Sequence, residues 1–203
     1  MRAFLLACIV LLMSSCSLMK MGSETIKIKK DKYRIVAKYP KLQSPDNLKL
    51  VQRFVMRQIS NFQETYGTDE DHDLYRFKIK YKVSESDTYK SIIFRVALYE
   101  AKELKNFFYK TFVFNKDTEK RVFLADILDT ELKELVVAQV LREELQKQIP
   151  LEYFDKDRVF RATNPRGSEL KNFYFHKDEL HVLFNPLEIA PLEAGSFDVL
   201  VSI

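Results

Sequence analysis

Glycine is scarce in this chain, and its few copies stand far apart. They are Gly22, Gly67, Gly167 and Gly195. A phosphate-cradling loop or a dinucleotide-binding fingerprint needs clustered glycines, because only a residue without a side chain lets the backbone approach a phosphate so closely. The sequence therefore predicts no nucleotide partner and no nucleotide cofactor.

Cysteine is rarer still, with Cys8 and Cys16 as the only copies. Cys8 lies inside an apolar N-terminal run, and its removal with that run would leave Cys16 without an intramolecular partner. No disulfide framework is then available. Neither catalysis nor metal binding by Cys16 is indicated, because no supporting histidine, aspartate or second cysteine stands beside it.

Histidine is also infrequent, and the spacing of its three copies does not indicate a metal site. His176 and His181 flank Glu179, but the parity of their numbers places the two rings on opposite faces unless the turn between them intervenes. The acidic stretch at residues 69–73 lacks the glycine and the spacing of a calcium loop. No Gly-x-Ser-x-Gly elbow is present. The expectation is a protein that is not an enzyme and holds no metal, although a triad assembled across the fold stays open.

Long apolar runs are absent apart from residues 3–13, which read AFLLACIVLLM. This run follows Met1 and Arg2 and is too short to cross a bilayer, which takes roughly 20 residues. It is typical of the apolar part of an export signal. The prediction is a signal peptide at residues 1–15.

The four residues that end this signal, Met13-Ser14-Ser15-Cys16, resemble the lipobox of bacterial lipoproteins. The resemblance implies that Cys16 becomes the mature N-terminus and carries fatty acyl chains such as palmitate, which hold the protein stably when two or more are present. An ordinary secretory signal with a chance cysteine is the alternative. Residues 16–24 would then be a lipidated tether to a membrane, the outer one in a host with two membranes, since no aspartate follows the cysteine.

Charge is unevenly distributed along a chain whose formal net charge is only +4. Residues 26–60 hold ten lysines and arginines against Asp31 and Asp46. Such a segment indicates either a solvated face or an attraction to anionic lipid headgroups. The mild net charge gives no support for a nucleic-acid partner, and strand periodicity explains the alternating lysines and aromatics of residues 75–83.

Hydrophobic periodicity predicts an α+β fold, an antiparallel sheet or sheets with two main helices on one face. Alternation predicts a hairpin around Lys30-Asp31, a three-stranded meander over residues 75–115, a hairpin around Lys177-Asp178 and a last strand near Phe197. Three- and four-residue spacing predicts helices from Pro45 to Gly67 and from Thr130 to Ile149, with residues 151–169 as a loop. The folded domain is assigned to residues 25–203, which can divide into subdomains 25–115 and 116–203.

Pro186 and Pro191 interrupt apolar strands, so the piece between them is expected at a sheet edge or in a looped crossover. With FVFNKDTEKRVFLADIL and YRIVAKYP upstream, the stretch LFNPLEIAPLEAGSFDVLV resembles the exported domain of lysozyme-sensing anti-sigma factors and of some peptidoglycan deacetylases. That resemblance implies a binding domain without catalytic function. The residues assigned to partner binding are Asn185, Pro186, Glu188, Pro191, Glu193 and Asp198.

The resulting expectation is a lipid-anchored binding protein of the cell envelope. Its partner would be a lysozyme-type wall hydrolase, which a basic charge would draw toward acidic residues, or peptidoglycan itself. The alternative is a structural lipoprotein that contacts other envelope proteins through a sheet edge.

Overall fold

A computed structural model describes residues 22–67, 74–164 and 170–202. The strands are β1 (Ser23–Lys29), β2 (Tyr33–Pro40), β3 (Tyr75–Glu85), β4 (Tyr89–Glu100), β5 (Glu103–Asn115), β6 (Arg121–Val122), β7 (Phe173–His176), β8 (Glu179–Phe184) and β9 (Phe197–Val201). The α-helices are α1 (Pro45–Tyr66), α2 (Leu124–Ile127), α3 (Glu131–Gln148) and α4 (Lys156–Ala162), with short 3₁₀ turns at Leu151–Tyr153 and Leu192–Ala194. The predicted signal, Cys16 and the acidic stretch at residues 69–73 lie outside the described residues.

Six strands form a large sheet in chain order, β1 to β6. The predicted N-terminal hairpin and the β3–β4–β5 meander are confirmed as antiparallel pairs. Among the strands that the structure describes, one pair is parallel, β2–β3, with Tyr33 opposite Tyr75. It departs from the antiparallel expectation because α1 lies between these two strands and returns the chain to the end of the sheet at which β2 begins, so that β3 runs in the same direction.

Helix α1 packs on one face of the large sheet, as its spacing predicts. Ser44 caps its start by accepting a hydrogen bond from the Asn47 N–H at 3.5 Å, and Gly67 ends it. The buried side of the helix meets the inward side chains of β2, β3, β4 and β5 in one hydrophobic cluster. The buried residues that α1 contributes are Val51, Val55, Ile59 and Phe62.

Three strands form a small antiparallel sheet in the order β7–β8–β9, with α3 packed on it. Thr130 caps α3 through a 3.2 Å hydrogen bond from the Lys133 N–H, and the helix ends at Gln148, before Pro150. The second hydrophobic cluster draws Val113 from the large sheet and is otherwise built from residues 124–201. The α+β class is confirmed, but the two long helices pack on different sheets instead of sharing one face.

The segment after Pro150, predicted as a loop, contains helix α4 in its described part. Asp155 caps this helix by accepting a hydrogen bond from the Arg158 N–H at 3.0 Å. Of its seven residues only Val159 and Ala162 are buried. Two buried positions are too few to show a helical period in the sequence. Residues 165–169, the end of the predicted loop, lie outside the described residues.

The small sheet stands on the outer face of the large sheet, the face turned away from α1. The backbone N–H groups of Phe173 and Phe175 donate to the side chains of Thr111 (3.0 Å) and Ser91 (2.9 Å). The Lys177 N–H continues the row by donating to the Glu85 carbonyl at 3.1 Å. Strand β7 therefore crosses β5, β4 and β3 in turn, and its hydrogen bonds join the two sheets.

No helix of the described residues is long and apolar enough to span a membrane.

Candidate functional site

The outer face of the large sheet carries a concentration of positive charge, here called the basic face. Side chains two apart along a strand share a face, and so do residues paired across strands, so the register assigns the members directly. They are Lys27, Lys29, Arg34, Lys38, Arg76, Lys78, Lys80, Lys82 and Arg95. In the described residues of β1 to β4, no acidic side chain shares this face.

Aromatic rings hold two of these cations in place. The Lys78 ammonium lies 4.8 Å from the centre of the Tyr99 ring, and the Arg95 guanidinium lies 4.8 Å from the Phe107 ring. Arg95 also donates to the Tyr99 hydroxyl at 3.5 Å, and this hydrogen bond lowers the pKa of Tyr99 below its ordinary value of 10.0. These contacts reduce the side-chain freedom that a bound anion would otherwise have to restrict.

Sequence reasoning found the alternating lysines of β3 but not the basic face. The β3 alternation by itself indicates only a strand with one solvated side. The parallel pairing of β2 with β3 brings Arg34 beside Arg76, and through it the N-terminal hairpin joins the same surface. The sequence did contain one indication of the basic face, the ten lysines and arginines of residues 26–60, since four of them belong to this face.

The side of the small sheet that faces away from α3 holds a second group of polar residues, centred on Asp198. Its carboxylate accepts a hydrogen bond from the Tyr174 hydroxyl at 2.5 Å and lies 3.1 Å from Nδ1 of His181. The Tyr174 and His181 rings stack with centroids 4.6 Å apart. Burial, followed by the hydrogen bond and charge of Asp198, raises the pKa of Tyr174 above its ordinary value of 10.0.

His176 and His181 lie on the same side of this sheet, because the turn between them intervenes, which is the exception that the parity argument left open. Their ring centroids are 6.3 Å apart. Across the two-residue turn, Tyr174 pairs with His181 and His176 with Glu179, so residues of opposite number parity share a face. In the part of the chain that the structure describes, no three His, Cys, Asp or Glu side chains form a cluster suited to a metal ion.

The histidines of this group are committed to internal contacts. Nε2 of His181 is buried, has no hydrogen-bond partner among the described residues and lies 4.0 Å from Glu179. Nδ1 of His176 lies 3.1 Å from the hydroxyl of Ser84, which is only 5% exposed. These contacts hold the two rings against the sheets.

The proline-bearing loop between β8 and β9 brings together several of the residues assigned to partner binding. The Asn185 side chain accepts from the Tyr109 N–H at 2.5 Å and donates to the Tyr109 carbonyl at 3.2 Å. It also donates to Glu188 at 3.1 Å, and Glu188 accepts from the Asn185 N–H at 2.6 Å. Arg158 donates to the Glu188 carbonyl at 3.2 Å. The polar atoms of Asn185 and Glu188 therefore form hydrogen bonds that hold the loop against β5 and α4.

The other assigned residues are placed differently. Pro186 is buried, Pro191 is half-buried at the start of a 3₁₀ turn, and Glu193 within that turn is exposed. Asp198 is exposed on β9, and its side chain reaches across β8 to the Tyr174 hydroxyl on β7. As expected from its prolines, the segment is a looped connection. A cavity of about 390 Å³ lined by Lys41, Lys90 and Phe114, among others, includes none of the six residues.

Two sheets, each covered by one long helix, define a two-core α+β protein. The model of a family described as a protein of unknown function, DUF3298, matches residues 27–203. The chain belongs to the DUF3298 family.

Two solved structures are similar to this fold. A DUF3298 family protein from Pseudomonas aeruginosa PAO1 is 11% identical, with a TM-score of 0.56, and the match covers 89% of this chain and 90% of that one. A DUF3298 member from Bacteroides fragilis NCTC 9343 is 12% identical, with a TM-score of 0.54 and coverage of 89% and 90%. At such identities the likeness shows the fold alone. No curated protein matches the sequence.

Proposed function

We propose that this chain is a lipid-anchored, non-enzymatic binding protein of the cell envelope that recognises the wall polymer. The observation that carries the proposal is the position of Cys16. It follows an apolar signal-like run and two serines, and it stands seven positions before Ser23, where β1 begins. At about 3.3 Å per residue, such a tether keeps the folded body within about 25 Å of the membrane.

The distribution of charge favours a wall polymer over lysozyme as the partner. A basic hydrolase would be repelled by the nine cations of the basic face, whereas the carboxylates of peptidoglycan would be attracted to them. Of the acids assigned to lysozyme binding, Glu188 is engaged inside the loop and Asp198 is shared by Tyr174 and His181. Glu193 is the one whose carboxylate has no partner among the described residues.

The anchor is tested by expressing the full chain in a bacterium that processes lipoproteins, with a palmitate analogue as label. We expect the chain to incorporate the label, to partition into the detergent phase and to lose both properties in Cys16→Ala. Cys8→Ala is the matched control, since Cys8 lies in the removed signal, and this variant should keep the label. A mature chain with an unmodified thiol, recovered in the aqueous phase, would refute the anchor.

A structural lipoprotein that contacts other envelope proteins is the alternative. Crosslinking in whole cells separates the two functions, because the proposed one predicts that wall fragments are recovered with the chain. Recovery of envelope proteins with no wall material would favour the alternative. Capture of a lysozyme-type hydrolase that depends on Glu193 would instead support the partner implied by the anti-sigma resemblance.

A further inference from the structure

The small sheet stands roughly upright on the outer face of the large sheet, so the two sheets enclose a corner. The basic face is the floor of this corner, and the small sheet is its wall. The N–H groups of Phe173, Phe175 and Lys177 point from β7 down to the large sheet. The hydrogen-bonding direction of the small sheet is therefore roughly perpendicular to the large one. With strands about 4.8 Å apart, β8 and β9 stand about 5 and 10 Å above β7.

The open side of this wall is turned toward the basic face. Phe175 points to the α3 side, where its ring stacks on Tyr89 with centroids 4.4 Å apart. Tyr174 and His176 alternate with Phe175 and so point the other way. On that side the outer face of the large sheet continues from Ser84 to Lys82 and from Ser91 to Ile93. The corner thus has a floor of cations and a wall that carries the Tyr174–Asp198–His181 group.

The shape of the corner selects among anionic partners. A flat membrane surface would meet β9 before it reached the floor, since the wall stands higher than the lysine side chains extend. A narrow linear chain can lie along the floor. Between Arg76 and Lys82 the floor extends about 20 Å along β3, and from β1 to β4 it is about 14 Å wide.

The charges of the corner select a polyanion. The described outer positions of β1 to β4 offer nine cations and no acid. The wall carries two carboxylates on this side. Asp198 accepts from Tyr174 and lies 3.1 Å from Nδ1 of His181, and the exposed Glu179 lies 4.0 Å from Nε2 of His181, so the nine cations of the floor outnumber the acids. The partly exposed rings of Tyr99, Phe107 and Tyr109 border the cations and provide apolar surface for the C–H faces of sugars.

We propose that the corner between the basic face and the small sheet binds an unbranched acidic polysaccharide, with its carboxylates on Lys78, Lys80 and Lys82. This inference rests on the proposed function, because export places the chain among carbohydrate polymers and away from nucleic acid. It moves the binding surface from the proline-bearing loop to the large sheet.

The test measures binding of fluorescein-labelled polygalacturonate oligomers to residues 17–203 by anisotropy. All described elements and both cores lie beyond residue 21, so this form keeps every described contact. The triple variant Lys78→Gln, Lys80→Gln, Lys82→Gln should raise the Kd at least tenfold and flatten its dependence on salt concentration. The matched control is Lys49→Gln, Arg53→Gln, Arg57→Gln, which removes the same charge from exposed positions of α1 and should change the Kd less than twofold.

Circular dichroism melting checks that both triple variants stay folded. Equal losses of binding in the two variants would show that net charge alone attracts the polymer, and absence of binding to the unchanged protein would refute the site. Stronger binding to phosphatidylglycerol vesicles or to single-stranded DNA than to polygalacturonate would also overturn it. These results leave the palmitate test of Cys16 unaffected, and an unlipidated Cys16 leaves a lysine-dependent Kd unaffected, so the two proposals fail separately.

Discussion

The phenol of Tyr174 is buried beside a carboxylate, an arrangement that opposes its ionisation. The ring is 8% exposed, and its hydroxyl donates to Asp198. Loss of the proton would place a second negative charge 2.5 Å from the Asp198 carboxylate, on a ring that is largely buried. The raised pKa of Tyr174 therefore makes the stability of the fold depend on alkaline pH.

We expect the free energy of unfolding to fall as pH rises above about 10, where the tyrosine of the unfolded chain ionises while the folded one keeps its proton. Below pH 10 this contribution is fully present. Tyr174 contributes at most about 1.4 kcal/mol per pH unit to this fall, which is the linkage of one proton. Urea unfolding between pH 8 and pH 11 measures it.

Tyr174→Phe should reduce this alkaline decrease to the part that comes from Tyr39, whose pKa is also raised by burial, and Asp198→Asn should reduce it by removing the carboxylate charge. The same dependence on pH in all three proteins would show that other groups control alkaline stability.

The Asp198 group shows what the sequence could and could not predict about individual residues. Asp198 itself was identified through the anti-sigma resemblance, which is silent on its neighbours. Its contact with His181 depends on how the strands pair, because the pairing decides which residues lie on the same face. Across a two-residue turn, even-numbered residues of one strand share a face with odd-numbered residues of the next. Such pairing is set by turn geometry, which residue types at Lys177-Asp178 do not specify uniquely.

At the scale of elements, Asn185 fastens the proline-bearing loop to the edge of β5. Asn185→Ala removes two hydrogen bonds to Tyr109 and one to Glu188, and it leaves polar backbone groups in a half-buried site. We expect the free energy of unfolding to fall by about 1–3 kcal/mol, measured by urea denaturation.

Asn106→Ala is the control, since Asn106 is exposed on the same strand, and it should change stability by less than about 0.5 kcal/mol. If Asn185→Ala were equally neutral but weakened binding of wall fragments, the residue would belong to the partner surface as the sequence proposed.

Elements with long periodic patterns could be predicted, and short or non-local ones could not. Helix α1 and the β3–β5 meander each repeat their pattern over several turns or strands, so local sequence determines them. Helix α4 has too few buried positions to show a period. The parallel β2–β3 pair joins residues about 40 positions apart, and nothing local specifies that contact.

The connection between the sheets belongs to the whole molecule. The hydroxyls of Ser91 and Thr111 accept the buried N–H groups of Phe175 and Phe173. Ser91→Ala and Thr111→Val each remove one acceptor and leave an N–H without a partner, so each should cost about 1–3 kcal/mol. Hydrogen exchange should show faster exchange of the two phenylalanine amides.

Ser60→Ala, at an exposed position of α1, should leave β7 protection unchanged. Unchanged protection of β7 in the Ser91 and Thr111 variants would mean that side-chain packing alone holds the small sheet on the large one.

The hydrogen bonds that Asn185 and Asn172 make to β5 also affect the tendency of the chain to aggregate at high concentration. The free side of a border strand ordinarily invites a strand from another molecule to extend the sheet. Here the Asn185 amide occupies both peptide groups of Tyr109, the Asn172 side chain accepts from the Thr111 N–H at 3.3 Å, and β6 covers Val113. An incoming strand finds these outward peptide groups already engaged, so pairing of one molecule with another is blocked along residues 109–113 of this strand.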